Sequence, residues 1–133
     1  MRFYNYDARR FFLLGVRICF GIWLLYAGAM KWLVIGPHSF VGFITADFDK
    51  TWSPHLLNVS LAWLIIFAEP IAALWILSGR HARAAWASTS LLMFLLTIGQ
   101  TILMKPAVID NWHYVILTLA CAALSERPPA TSA

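Results

Sequence analysis

Apolar residues in this chain fall into four long runs, broken by short polar stretches rather than by the regular alternation of a soluble fold. Phe11 to Gly36 and Leu56 to Gly79 are each long enough to cross a hydrocarbon core, which needs roughly 20 helical residues. Ala84 to Met104 fits closely. The fourth run, Val108 to Ser125, is shorter and carries Asp110, Asn111 and His113 at one end. It reads as a span that thins the bilayer or hides its polar end against its neighbours. Between the first two runs, Pro37 to His55 has roughly helical apolar spacing at Phe40, Val41, Phe43, Ile44 and Phe48 but is too short to cross. It is expected in the outer interface, either as a lid over the helices or as a simple anchor. The fold class expected is all-α: one integral membrane domain over 1–133, a four-helix bundle with spans 11–36, 56–79, 84–104 and 108–125, an interfacial segment 37–55 and a disordered tail 126–133.

Helical spacing also predicts which faces meet. Arg17, Gly21, Leu24, Gly28 and Lys31 share a stripe of the first span, and its glycines permit close helix approach. Ala62, Ile66, Glu69, Ala73 and Ile76 form the stripe of the second. Trp86, Ser90, Met93, Thr97, Gln100 and Met104 line the third, and Asn111, Tyr114, Thr118, Cys121 and Ser125 the fourth. Pro70 has no amide hydrogen, so the carbonyl of Ile66 needs a donor from elsewhere, a nearby Arg or a water.

Composition agrees with a membrane setting. The 133 residues are 61% hydrophobic and only 12% charged, about half the charged fraction of soluble domains. The net charge of +4 comes from basic residues at the ends of apolar runs, not from a patch that would bind nucleic acid. Arg2, Arg9, Arg10, Arg80, Arg83 and Arg127 fall on one side; Lys31, Lys50 and Lys105, offset by Asp47, Asp49 and Asp110, fall on the other. Both termini are therefore expected in the cytoplasm. Trp75 and Trp86 would lie toward the inner interface, and Trp32, Trp52 and Trp112 near the outer one. A cleavable leader ending at Ala27-Gly28-Ala29 is disfavoured, because the apolar run continues to Ile35. Cys19 and Cys121 form no CxxC pair and argue against a disulfide scaffold, an iron–sulfur cluster or structural zinc.

Ionisable groups at membrane depth are costly and mark candidate sites. Glu69 is one, and Arg17 can reach its level. The expectation is a buried Arg17–Glu69 ion pair; the alternative has Arg17 snorkelling to headgroups and Glu69 protonated. A second cluster, Lys31, Gln100, Asp110, Asn111 and His113, lies toward the outer ends of the spans. Lys31, Gln100 and His113 are the candidate ligand pocket: their donors suit quinone carbonyls, and His113 could relay a proton. The competing reading is ordinary interface chemistry. A metal site using His38, His55 or His113 lacks ligand spacing, and no metal is expected.

The stretch VRICFGIWLLYAGAMKW resembles the first span of the DoxX family, whose pattern places Arg, Gly, Ala-Gly and Lys as Arg17, Gly21, Ala27-Gly28 and Lys31 do here. AEPIAALWILSGRHAR resembles its second span, through Glu69, Leu77, Gly79 and Arg80 to Arg83. Pro70, Ala72 and Ala73 depart from the family's pattern. The resemblance covers roughly residues 10 to 125 and extends to the DoxD and MauE relatives. It implies a small bacterial inner-membrane protein linked to redox metabolism, with lipid and a redox protein as partners. Three readings compete: a non-catalytic membrane subunit that docks a redox partner and offers a quinone site, a structural or assembly subunit without ligand, and a small transporter or channel. A free-standing redox enzyme is disfavoured, since bis-histidine haem would need two His at membrane depth, and flavin and dinucleotide fingerprints are absent.

Overall fold

A computed structural model of the chain describes residues 2–106 and 108–125. The tail expected to be disordered, 126–133, lies outside the described residues. All regular elements among them are helical: α1 Arg2–Met30, a π-helical segment Lys31–Ile35, α2 Pro37–Phe48, α3 His55–Ser78, α4 Ala82–Ile102 and α5 Val108–Leu124. The first helix therefore begins nine residues ahead of the expected span, because nothing in Arg2–Arg10 breaks a helix. Three stretches are long and apolar enough to cross a membrane: Asp7–Ile35, His55–Ser78 and Ala82–Ile102. Helix α5, with 17 residues, reaches only about 25 Å at 1.5 Å per residue. The described helices thus comprise three long apolar ones, the shorter apolar helix α5, as the shorter fourth run led one to expect, and α2.

Two antiparallel pairs organise the molecule. Helix α1 packs on α3, and α4 packs on α5. The pairs are joined by a turn at Gly79, where α3 ends with Gly79 in the left-handed region at φ 68°, a conformation glycine adopts without steric penalty. Trp75 Nε1 donates to the Arg80 carbonyl at 3.0 Å and secures the turn. One core takes side chains from α1, α3, α4 and α5: Phe20 and Leu24, Ala73 and Ile76, Trp86 and Met93, Val115 and Cys121. A smaller cluster, Val41 with Ala62 and Ile66, seats α2 on α3.

Small residues set the α1–α3 distance. A methyl group on Gly28 would meet the Pro70 ring at 3.1 Å, and one on Gly21 would meet the Leu77 side chain at 2.7 Å. Ala62, Ile66, Glu69, Ala73 and Ile76 are all buried, as their stripe predicts. Trp86 follows the stripe predicted for its helix. It is buried in the core with its ring 5.8 Å from that of Phe20, because it belongs to the inward stripe of its helix and not to the lipid face. Hydroxyls at membrane depth are satisfied locally: Thr89, Thr97 and Thr118 each donate to the carbonyl four residues back, so no partner helix has to supply an acceptor.

Helix α2 starts where Gly36, at φ 82°, reverses the chain after the π-helical segment, with Pro37 at its first turn. Its far end is tied down three times. Asp47 accepts from Lys105 Nζ at 2.7 Å. Asp49 accepts from Asn58 Nδ2 at 2.9 Å and faces His55 Nδ1 at 2.7 Å. The Phe48 ring rests on Gly99, where an added methyl would come within 3.2 Å of it. These contacts hold α2 against α3 and the end of α4.

Candidate functional site

Pro70 organises the local chemistry of α3. The Ile66 carbonyl it leaves without a helical partner accepts from the indole Nε1 of Trp32 at 3.3 Å. Trp32 lies in the π-helical segment, one residue after Lys31. A π-helical turn shifts side chains relative to an α-helix and often sits at functional sites; here it follows directly on the glycine stripe and presents Lys31 and Trp32 to adjacent turns of α3.

Lys31 forms the buried ion pair with Glu69, its ammonium donating to the carboxylate Oε2. The two side chains are 16% and 4% exposed, so the carboxylate is the more fully enclosed. The Lys31 ammonium also lies 5.0 Å from the centre of the Phe40 ring on α2, a cation–π contact that couples α2 to the pair. The expected Arg17–Glu69 pair is not formed. In the antiparallel register, Arg17 falls opposite Gly79, where its guanidinium fills the space a side chain would need. That places it near the carbonyl end of α3, a favourable position for a cation, and ten residues along the helix from Glu69. Arg17 Nε is buried without a hydrogen-bond partner.

The Lys31–Glu69 pair faces a partly open cavity of about 450 Å³ lined mainly by α1, α2, α3 and α4. Its polar lining includes Lys31, Glu69, Gln100, Asn58, Asn111 and Lys105; Phe40, Phe48, Trp23 and Trp52 contribute rings, and leucine, isoleucine and methionine supply most of the rest. Gln100 Oε1 is buried and has no hydrogen-bond partner. Small-molecule sites generally have this composition, an apolar wall with a few aimed polar groups.

Of the three expected pocket residues, Lys31 and Gln100 line the cavity and His113 does not. His113 is exposed, two residues past the cavity-lining Asn111, and two helical residues are about 200° apart on the 3.6-residue repeat. Asp110 is likewise exposed, and Phe43 and Trp112 point outward. Asn58, buried and bonded to Asp49 and the Ser53 carbonyl, is a lining residue that sequence reasoning missed. Its signal was present: it lies one step of four before Ala62 on the buried stripe of α3. Cys19 is exposed and Cys121 buried, both free thiols.

Outside the membrane-spanning segments, the carboxyls of the lid ties titrate low. The Lys105 ammonium, by hydrogen bond and charge, holds Asp47 below its ordinary value of 3.8. The Asn58 amide and then His55 do the same for Asp49.

These features define a class: a small multi-pass helical membrane protein with a buried ion pair facing a largely apolar cavity among its helices. The family can be stated more closely. A family model described as methylamine utilisation protein MauE matches residues 9–125, and the chain belongs to that family. The match narrows the resemblance drawn above to one branch of the DoxX-like proteins. No curated protein and no solved structure matches the chain.

Proposed function

We propose that this protein is a non-catalytic membrane subunit of a redox system, one that binds a quinone or quinol in the cavity beneath α2 and docks a redox protein partner. The observation that carries the reading is the convergence of the Lys31–Glu69 pair and the unpartnered Gln100 Oε1 on one apolar cavity of about 450 Å³. Lys31 keeps two N–H donors beyond the one given to Glu69, and these suit a quinone carbonyl. Gln100 Oε1 lacks a donor, which a quinol hydroxyl supplies. Phe40, stacked on the Lys31 ammonium, is placed to cover a ring. The family's description concerns methylamine utilisation; the quinone and the partner are our reading. With no haem, flavin or dinucleotide motif in the chain, electrons would arrive through the partner or the bound quinone. The setting we infer is a bacterial inner membrane with both termini cytoplasmic and α5 crossing as a short fourth span.

Gentle extraction and chromatographic analysis of bound lipid test this. Wild-type protein is expected to retain quinone, and added quinone at about 100 times Kd to stabilise it by about 2.7 kcal/mol. Gln100→Leu and Lys31→Met should lose the ligand, while His113→Phe, altering an exposed side chain, should keep it. Wild-type protein that carries no quinone and gains no thermal protection from it would leave a structural or assembly subunit as the better reading.

A further inference from the structure

The cavity has two borders of different character. Toward α2 it is bounded by Phe48, Asn58 and Lys105, and each of these takes part in holding the lid down: Phe48 on Gly99, Asn58 on Asp49, Lys105 on Asp47. Between α3 and α4 it is bounded by Leu61 and Leu64 of α3 and Leu95 and Ile98 of α4. These four side chains line the cavity from both helices and are 39–51% exposed. The cavity is not closed around them, and on this side its wall consists of half-exposed apolar side chains of α3 and α4. No hydrogen bond or ion pair from these side chains crosses the gap. Along the two antiparallel helices, Leu64 and Leu95 lie at similar heights, as do Leu61 and Ile98, 15 to 19 residues from Gly79 by sequence; at 1.5 Å per residue this is roughly 22–29 Å from the turn, in the far half of a hydrocarbon core of about 30 Å.

Resting on the ligand site argued above, we propose that this gap is a lateral portal: the ligand is a membrane-resident lipid whose headgroup lies against Lys31, Glu69 and Gln100 and whose isoprenoid tail passes out between Leu61–Leu64 and Leu95–Ile98. The size of the cavity supports it. Enclosed sites of a few hundred Å³ hold a drug-sized group, enough for a substituted ring and the first units of a tail but not for a long chain. The remainder must leave somewhere, and an apolar tail leaves through an apolar opening into lipid. The tied lid offers charged and amide groups instead, which an apolar tail cannot satisfy.

Protein in nanodiscs of defined phospholipid provides the test, with two probes sharing one ring: 2,3-dimethoxy-5-methyl-1,4-benzoquinone without a tail, and the same ring bearing a decyl chain. Leu64→Trp and Leu95→Trp narrow the gap from either wall, and Ile98→Trp repeats the test should Leu95→Trp fail to fold. Leu74→Trp, on an exposed position of α3 that does not line the cavity, is the control. Narrowing is expected to weaken decyl-quinone binding tenfold or more and tail-less binding less than twofold, with the control changing neither. Equal effects on both probes, or no effect on either, would show that the tail does not occupy the gap, and the portal would be rejected with the binding site intact. If neither probe binds wild-type protein, the site itself is rejected, and the portal with it.

Discussion

Glu69 is the residue on which the interior depends, and its partner decides what a substitution costs. Removing one member of a buried ion pair typically costs about 3–5 kcal/mol, because the survivor is left charged in an apolar place, whereas replacing both can be nearly neutral. Lys31→Met and Glu69→Gln are each expected to lower thermal stability, and the double variant to recover much of the loss. Arg17→Leu combined with Glu69→Gln should instead be additive, since the two groups share no contact. Denaturation of all the variants in one detergent reads both cycles. Pro70 and Trp32 form a second coupled pair at this scale. Trp32→Phe removes the donor to the Ile66 carbonyl and is expected to cost about 0.6 kcal/mol, up to about 1.7, as interhelical hydrogen bonds in membranes do. In a Pro70→Ala background an amide returns to serve that carbonyl, so the same change should cost less.

At the scale of elements, contact between α1 and α3 relies on the absence of a side chain at Gly28. Gly28→Ala sets a methyl 3.1 Å from a rigid prolyl ring and 3.3 Å from its backbone nitrogen. Neither atom is the loose end of a flexible chain, so the helices must part. Overpacking of this kind costs about 1–3 kcal/mol, and a lowered melting temperature with a loosened Lys31–Glu69 pair is expected. The lid should respond to pH. Asp47 and Asp49 titrate below their ordinary 3.8 when folded, so falling pH protonates the unfolded chain first. Their contribution is complete above that ordinary value and is lost as pH falls through the lower folded one. Spin labels at Ala46 and Ile109 should report a fixed separation near neutral pH and a wider one under strong acid. Asp47→Asn should widen it at neutral pH through loss of the Lys105 tie alone.

For the whole molecule, the distribution of basic residues predicts a topology that α5 completes. Cysteines introduced at Ser53 and Ser78 are expected to label from opposite sides of the membrane, residue 53 from outside and residue 78 from the cytoplasm. If α5 crosses, a cysteine at Ser125 labels with residue 78. Labelling of residue 125 together with residue 53 would mean that α5 lies along the interface. Arg9 bears on this: its guanidinium donates to the Leu124 carbonyl at the end of α5, bringing the start of the first span and the end of α5 to one level.

Much of this architecture was legible in the sequence. Hydropathy marked the long helices, and steps of three and four marked the faces they bury, because a helix in lipid must hide its few polar groups whatever it packs against. The buried stripe of α3 and the glycines of α1 follow from that rule alone. Pairings were not legible. Arg17 and Lys31 occupy one stripe, and both could serve Glu69 on spacing; only the antiparallel register, together with the π-helical segment beginning at Lys31, delivers Lys31 to Glu69 and leaves Arg17 at Gly79. His113 was placed by its level in the membrane, yet its azimuth turns it outward, whereas Asn111 and Asn58 turn in. Sequence periodicity determines the inward face and the approximate depth of each residue, since both are properties of a single helix. Which partner a buried charge meets, and whether a cavity remains between helices, depend on how far one helix slides and how closely it approaches another. Those are properties of two helices, and only the tertiary structure decides them.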